Sequence, residues 1–130
     1  MLDLFDSLDP RTQARRPLPE PPPDGTTAGE VTLYFRNEPP LVVPAYRIGA
    51  LAVHRTVAPA DRWGVSHAGT GRLVRAFAAL PAAVDCARKA AGAIDWARLH
   101  LGDTPETLVG WTPELAAQLI TAIGPGEPSV

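Results

Sequence analysis

His54, Ser66 and His67 fall close together in the chain, with Asp61 between them and Asp85 further on. A serine beside an imidazole that a carboxylate orients is the set that activates a hydroxyl nucleophile. That chemistry needs the hydroxyl presented at a sharp strand-to-helix turn, and the chain has no Gly-x-Ser-x-Gly elbow. Two histidines without a third ligand at regular spacing do not make a zinc site. Cys86 is the single cysteine, so no internal disulfide can form. It lies in an alanine-rich segment and reads as a small packing residue. Gly69-x-Gly71 joins two strand-like segments, whereas a phosphate-cradling loop opens a helix after a strand. These residues are therefore read as structural polar groups. The expectation is a protein that is not an enzyme, with no catalytic residues, no metal and no cofactor.

The arginines point elsewhere. The chain holds eleven arginines and a single lysine, Lys89, and is rich in alanine and proline, which suits a GC-rich genome. Net charge is −2, unevenly spread. Residues 1–30 carry −3, residues 31–77 carry +4 and residues 78–130 carry −3. Arg47, Arg55, Arg62, Arg72 and Arg75 all lie within or beside strand-like segments. Such a chain either neutralises itself or presents one basic face.

With the Trp63-Gly64-Val65 strand, the Gly69/Gly71 turn and the alanine-rich helix after Phe77, residues 50–97 resemble a known layout. It is that of the small DNA-binding module of plant AP2 factors and some phage integrases. The resemblance implies an open sheet entering the major groove, with these five arginines as the nucleic-acid-binding residues. This is the alternative reading. The leading one starts from the opening octet, MLDLFDSL. Leu2-Asp3-Leu4-Phe5 resembles the peptide by which bacterial DNA polymerases and repair factors dock on the sliding clamp. That peptide has the form Gln-Leu-(Ser/Asp)-Leu-Phe, and Met1 stands where glutamine is expected. The resemblance implies a partner in DNA replication or repair, with Leu4 and Phe5 filling a pocket and Leu2 helping to anchor. Independently of that family, Leu2, Leu4, Phe5 and Leu8 form a short amphipathic docking segment. It would grip either a foreign protein or an apolar patch of its own domain or of a dimer mate.

The elements that would position these groups follow from periodicity. The octet 1–8 is followed by a proline-rich linker over 9–30, containing Pro21-Pro22-Pro23. Residues 31–36 read as a strand, ended by Pro39-Pro40, and 41–43 as a short edge strand closed by Pro44. Residues 46–57 hold the next strand, with Leu51, Val53 and Val57 on one face and His54 and Thr56 on the other. Arg62–His67 and Arg72–Phe77 alternate again around the AGTG turn. The period then becomes helical over Pro81–Leu99, with Val84, Ala87, Ala91 and Ile94 on one face. Thr104-Pro105-Glu106 starts a short turn. Thr112, Pro113 and Glu114 open a last helix, whose apolar face is Leu115, Leu119, Ile120 and Ile123. Gly124-Pro125 stops it, and 125–130 reads as a tail.

Strands followed by helices predict an α+β domain over 31–124. Its small antiparallel sheet has three to five strands packed on one long helix, with a second, C-terminal helix. One sheet face would carry Trp63 and Val65 against the long helix. The other would be open, or covered by the tail or a second subunit of a homodimer. No apolar run approaches the ~18 residues of a membrane span, and the acidic N-terminus (Asp3, Asp6, Asp9) is no secretory signal. The expectation is a cytoplasmic bacterial protein that docks a protein partner as an adaptor or inhibitor, such as a phage- or plasmid-type accessory protein.

Overall fold

The computed structural model describes residues 9–35, 37–57, 62–102 and 108–124. The protein is α+β. A five-stranded sheet has the order β1 (Thr27–Phe35), β2 (Glu38–Ile48), β3 (Leu51–Arg55), β4 (Trp63–His67) and β5 (Arg72–Phe77). Each strand pairs antiparallel with the next. Three helices, α1 (Pro10–Ala14), α2 (Leu80–Ala91) and α3 (Pro113–Ile123), and a two-stranded ribbon of β6 (His100–Leu101) and β7 (Leu108–Val109) complete it.

The pleat sends alternate residues of β3 into two separate cores. Leu51 and Val53 join Val65 of β4 and Ala83, Val84 and Ala87 of α2 in the larger cluster. Ala52 joins Val31 and Leu33 of β1, Val43 and Ala45 of β2, and Ala14 of α1 in the smaller one. Neither sheet face is open at its centre. Val57 packs with the smaller cluster rather than with Leu51 and Val53, because the strand has ended at Arg55 before the alternation reaches it.

Three boundaries depart from the sequence expectation, the first being that β1 starts at Thr27 and not at residue 31. Residues 38–48 form one strand through Pro39, Pro40 and Pro44, where a break and a short edge strand were expected. β3 pairs only with Tyr46–Ile48, so the prolines sit in the half of β2 whose neighbour is β1 alone. A missing N–H is tolerated where no strand waits to accept it. The helix expected to run to Leu99 stops at Ala91. Gly92 follows it, the Trp96 indole donates to the Ala90 carbonyl at 2.8 Å, and a 3-10 turn occupies Trp96–Arg98. α3 starts as its grammar predicts, the Thr112 hydroxyl accepting from the Leu115 N–H at 3.2 Å. Cys86 is buried within α2.

Of residues 9–30, read as a linker, 9–26 lie along the domain and 27–30 are the start of β1, paired with β2. The Asp9 carboxylate caps α1 through the Thr12 N–H, and Ala14 is fully buried. The Arg11 guanidinium reaches Glu38 at 3.0 Å and the Pro39 carbonyl at 2.9 Å, and lies over the Phe35 ring. Beyond α1, the Arg16 and Pro17 carbonyls accept from Arg55 at 3.2 and 3.1 Å. The Pro19 carbonyl accepts from the Tyr46 hydroxyl, and that of Asp24 from Arg88. Carbonyls of a proline-rich segment have no ladder partner, so side-chain donors from the domain satisfy them. Arg55 also lies over the Trp63 ring, at 5.0 Å. Replacing Arg55 with methionine keeps the stem and removes the donors. The expected outcome is a stability loss of about 1–2 kcal/mol and faster tryptic cleavage after Arg15, read by limited proteolysis.

Candidate functional site

The β4–β5 turn organises the site. Gly71, at a φ of 69°, donates its N–H to the His67 carbonyl at 2.7 Å. The Thr70 hydroxyl contacts His67 Nδ1 at 3.0 Å and accepts from the Arg72 N–H at 3.3 Å. Gly71 lies so close to the Thr32 carbonyl that β1 is brought against this turn. The sheet therefore curls until its first strand meets the hairpin of its last two.

A cavity opens on each side of β5 at that point. The larger, about 590 Å³, lies between β5, α3 and the β6–β7 ribbon. His67 and Trp96 stack on its wall with ring centroids 5.4 Å apart. The smaller, about 420 Å³, lies between β1 and β5, with Phe35 and Val57 in its wall. The two have Thr70, Arg72 and Leu73 in common as lining residues, and together these two neighbouring cavities are the trough at the start of β5. Leu73, Trp111 and Ile120 keep 39%, 41% and 50% of their surface exposed along it.

His54 and Ser66 meet beside the smaller cavity. The Arg55 carbonyl can only accept, so His54 Nδ1 carries the proton and donates to it at 2.8 Å. Nε2 then accepts from the Ser66 hydroxyl at 2.7 Å. Burial holds the imidazole pKa below its usual value, against the raising effect of the Arg55 hydrogen bond. This orientation polarises the serine, yet Ser66 is 0% and His54 2% exposed. The pair is a satisfied bond between β3 and β4 in the sheet interior. His67 belongs to the larger cavity, and its pKa is likewise lowered by burial, opposed by the Trp96 backbone. The three residues are thus divided between the two sides of β4. Among the described residues, no cluster of three or more His, Cys, Asp or Glu could hold a metal.

The five arginines do not share a face. Arg55 holds the N-terminal arm. Arg75 donates to the Ile123 and Gly124 carbonyls at 3.3 and 2.9 Å and so closes the C-terminus of α3. Arg47 lies against Gly29 with its Nε buried, and the Nε of Arg62 is buried beside the β3–β4 connection. Arg72 is exposed at the rim shared by the two cavities. The expected docking residues Leu2, Leu4, Phe5 and Leu8 lie outside the described residues, as do Asp61, Thr104–Glu106 and the tail 125–130.

Sequence reasoning missed Leu73, Trp111 and the trough itself. Trp111 stands just before a helix cap and belongs to no periodic face. Ile120 was placed on the buried face of α3. Of that face, Leu119 is buried, while Ile120 lines the larger cavity and stays half exposed. Compared with known proteins, the chain matches no family model, no curated protein sequence and no solved structure. The class is therefore set by the architecture: an α+β domain with a curled antiparallel sheet and an apolar trough at its closing turn. Among the described residues, no helix is long and apolar enough to cross a membrane.

Proposed function

We propose that this protein is a small macromolecule-binding adaptor or inhibitor that holds a protein partner and performs no catalytic step. The observation that carries this reading is the apolar trough, with Leu73, Trp111 and Ile120 substantially exposed along it. Contiguous exposed apolar surface on a small domain marks contact with another macromolecule. The amphipathic octet supplies the second apolar element, through Leu2, Leu4, Phe5 and Leu8. It joins the domain at Asp9, where α1 is fastened to the β1–β2 hairpin through Arg11 and Glu38. A short linear motif held at a fixed point loses little entropy on capture. The partner implied by the Leu-Asp-Leu-Phe resemblance is a bacterial sliding clamp.

The reading is tested by titrating the full chain and its Phe5→Ala form onto an immobilised, purified bacterial sliding clamp. A buried aromatic anchor contributes about 2–4 kcal/mol to such an interface, so Phe5→Ala is expected to weaken binding roughly thirty-fold or more. Comparison of the same two proteins against lysate of the source organism extends the test to other partners. Equal retention by both forms would remove the octet from partner capture. Steeply salt-dependent DNA binding that Arg72→Glu abolishes would overturn the reading in favour of a nucleic-acid binder.

A further inference from the structure

We infer that the trough at the β4–β5 turn is the seat of the chain's own N-terminal octet, which is stowed there until a partner takes it. The inference rests on the octet's role as the docking segment. Three observations carry it.

The first is where the octet begins. Asp9 caps α1, and Arg11 in the same helix lies over Phe35, whose ring lines the smaller cavity. Asp9, to which the octet is joined, is thereby held at the helix that reaches the smaller cavity's wall, and eight residues span about 28 Å when extended. The second is the trough's shape. The smaller cavity has Phe35 in its wall, the larger one has Trp111 and Ile120, and Thr70, Arg72 and Leu73 line both. Its apolar floor suits Leu2, Leu4, Phe5 and Leu8. The third is charge. Asp3 and Asp6 alternate with those apolar residues, and the positive Arg72 marks the place where the two cavities join. An acidic-apolar segment matches a basic-rimmed apolar groove in both respects. Tethering sets the local concentration of the octet in the millimolar range, which favours the same chain over a second copy. A partner must then compete with the trough for Leu4 and Phe5.

The experiment uses the full chain carrying Ser7→Cys and Cys86→Ala, with a nitroxide on residue 7. The indole N–H resonances of Trp111 and Trp63 are recorded with the label oxidised and reduced. Trp63 sits at the end of β4 remote from the turn, and its resonance also reports that the domain is folded. Trp111 is expected to lose most of its intensity and Trp63 much less. Adding Leu4→Asp, or Arg72→Glu on the trough, is expected to restore Trp111. Full Trp111 intensity in the oxidised sample would overturn the inference. So would broadening seen only when labelled chains are mixed with isotope-enriched unlabelled ones, since the octet would then belong to a second copy. Broadening of Trp111 with clamp binding indifferent to Phe5→Ala leaves the stowed octet standing and removes its role in capture. Loss of clamp binding without any broadening does the reverse.

Discussion

Gly71→Ala is expected to lower the unfolding free energy by about 2–4 kcal/mol, combining a left-handed backbone with a steric clash. The φ of 69° strains any residue with a side chain, and the added methyl would overlap the Thr32 carbonyl oxygen. That oxygen belongs to β1, so relief requires the first strand to move away from the β4–β5 turn. The trough depends on this approach, since its smaller cavity lies between β1 and β5. Urea unfolding followed by tryptophan fluorescence gives the stability. A change below about 0.5 kcal/mol would show that β1 does not close on the turn. Gly49→Ala is the matched control: φ is 54°, with nothing within 4 Å of the added carbon. It carries the backbone strain alone and is expected to cost clearly less.

Acidification is expected to destabilise the fold through the two buried histidines. His54 and His67 both have pKa values below the ordinary 6.5 in the folded state, chiefly from burial. Below about pH 6.5 the unfolded chain binds protons that the native state refuses, so stability falls as pH falls. The fall steepens towards about 1.4 kcal/mol per pH unit for each histidine and flattens only once the folded form itself takes up the proton. His54 cannot accept a proton without losing the bond in which Nε2 accepts from Ser66. Asp9 acts in the same direction at lower pH: its pKa is lowered, first by the Thr12 backbone hydrogen bond, and its cap is lost on protonation. At the other end, burial raises the Cys86 and Tyr46 pKa values, so stability also declines as pH rises above about 9. Urea midpoints at pH 7.5 and 5.5 check the acid limb. Equal midpoints would show that neither imidazole is held neutral by its surroundings.

Much of the sheet was legible because its signals are local. Residues 63–67 and 72–77 alternate around a glycine turn, and α3 carries its own cap in Thr112 and Pro113. The continuity of β2 was not legible. Whether Pro39, Pro40 and Pro44 break a strand depends on what lies on its far side, and that is decided by the short pairing with β3. Residues 9–30 read as a linker because their prolines oppose helix and ladder, yet 27–30 open β1 and 10–14 form α1. The arm's fastenings come from Arg55, Tyr46 and Arg88, donors on three other elements. The trough was illegible for a similar reason. Leu73, Trp111 and Phe35 come from three separate stretches of chain: Leu73 meets Trp111 where α3 and the β6–β7 ribbon pack by β5, and meets Phe35 where β1 curls onto Gly71. His54 and Ser66 were noticed as chemistry, and the close contact between them is real. Their burial at the wall of the smaller cavity is what a sequence does not display.

The prolines of β2 have a consequence for the company the protein keeps. An eleven-residue strand paired along one side over most of its length is ordinarily an invitation to assembly, because a neighbour can zip onto the vacant backbone. Here Pro39, Pro40 and Pro44 have no amide hydrogen to offer any neighbour. Fibril-like stacking and strand exchange are discouraged along that strand, where Arg11 of α1 also occupies the Pro39 carbonyl. Recognition is thereby channelled to side chains: whatever associates with this domain must be read by shape and charge rather than by extending its sheet.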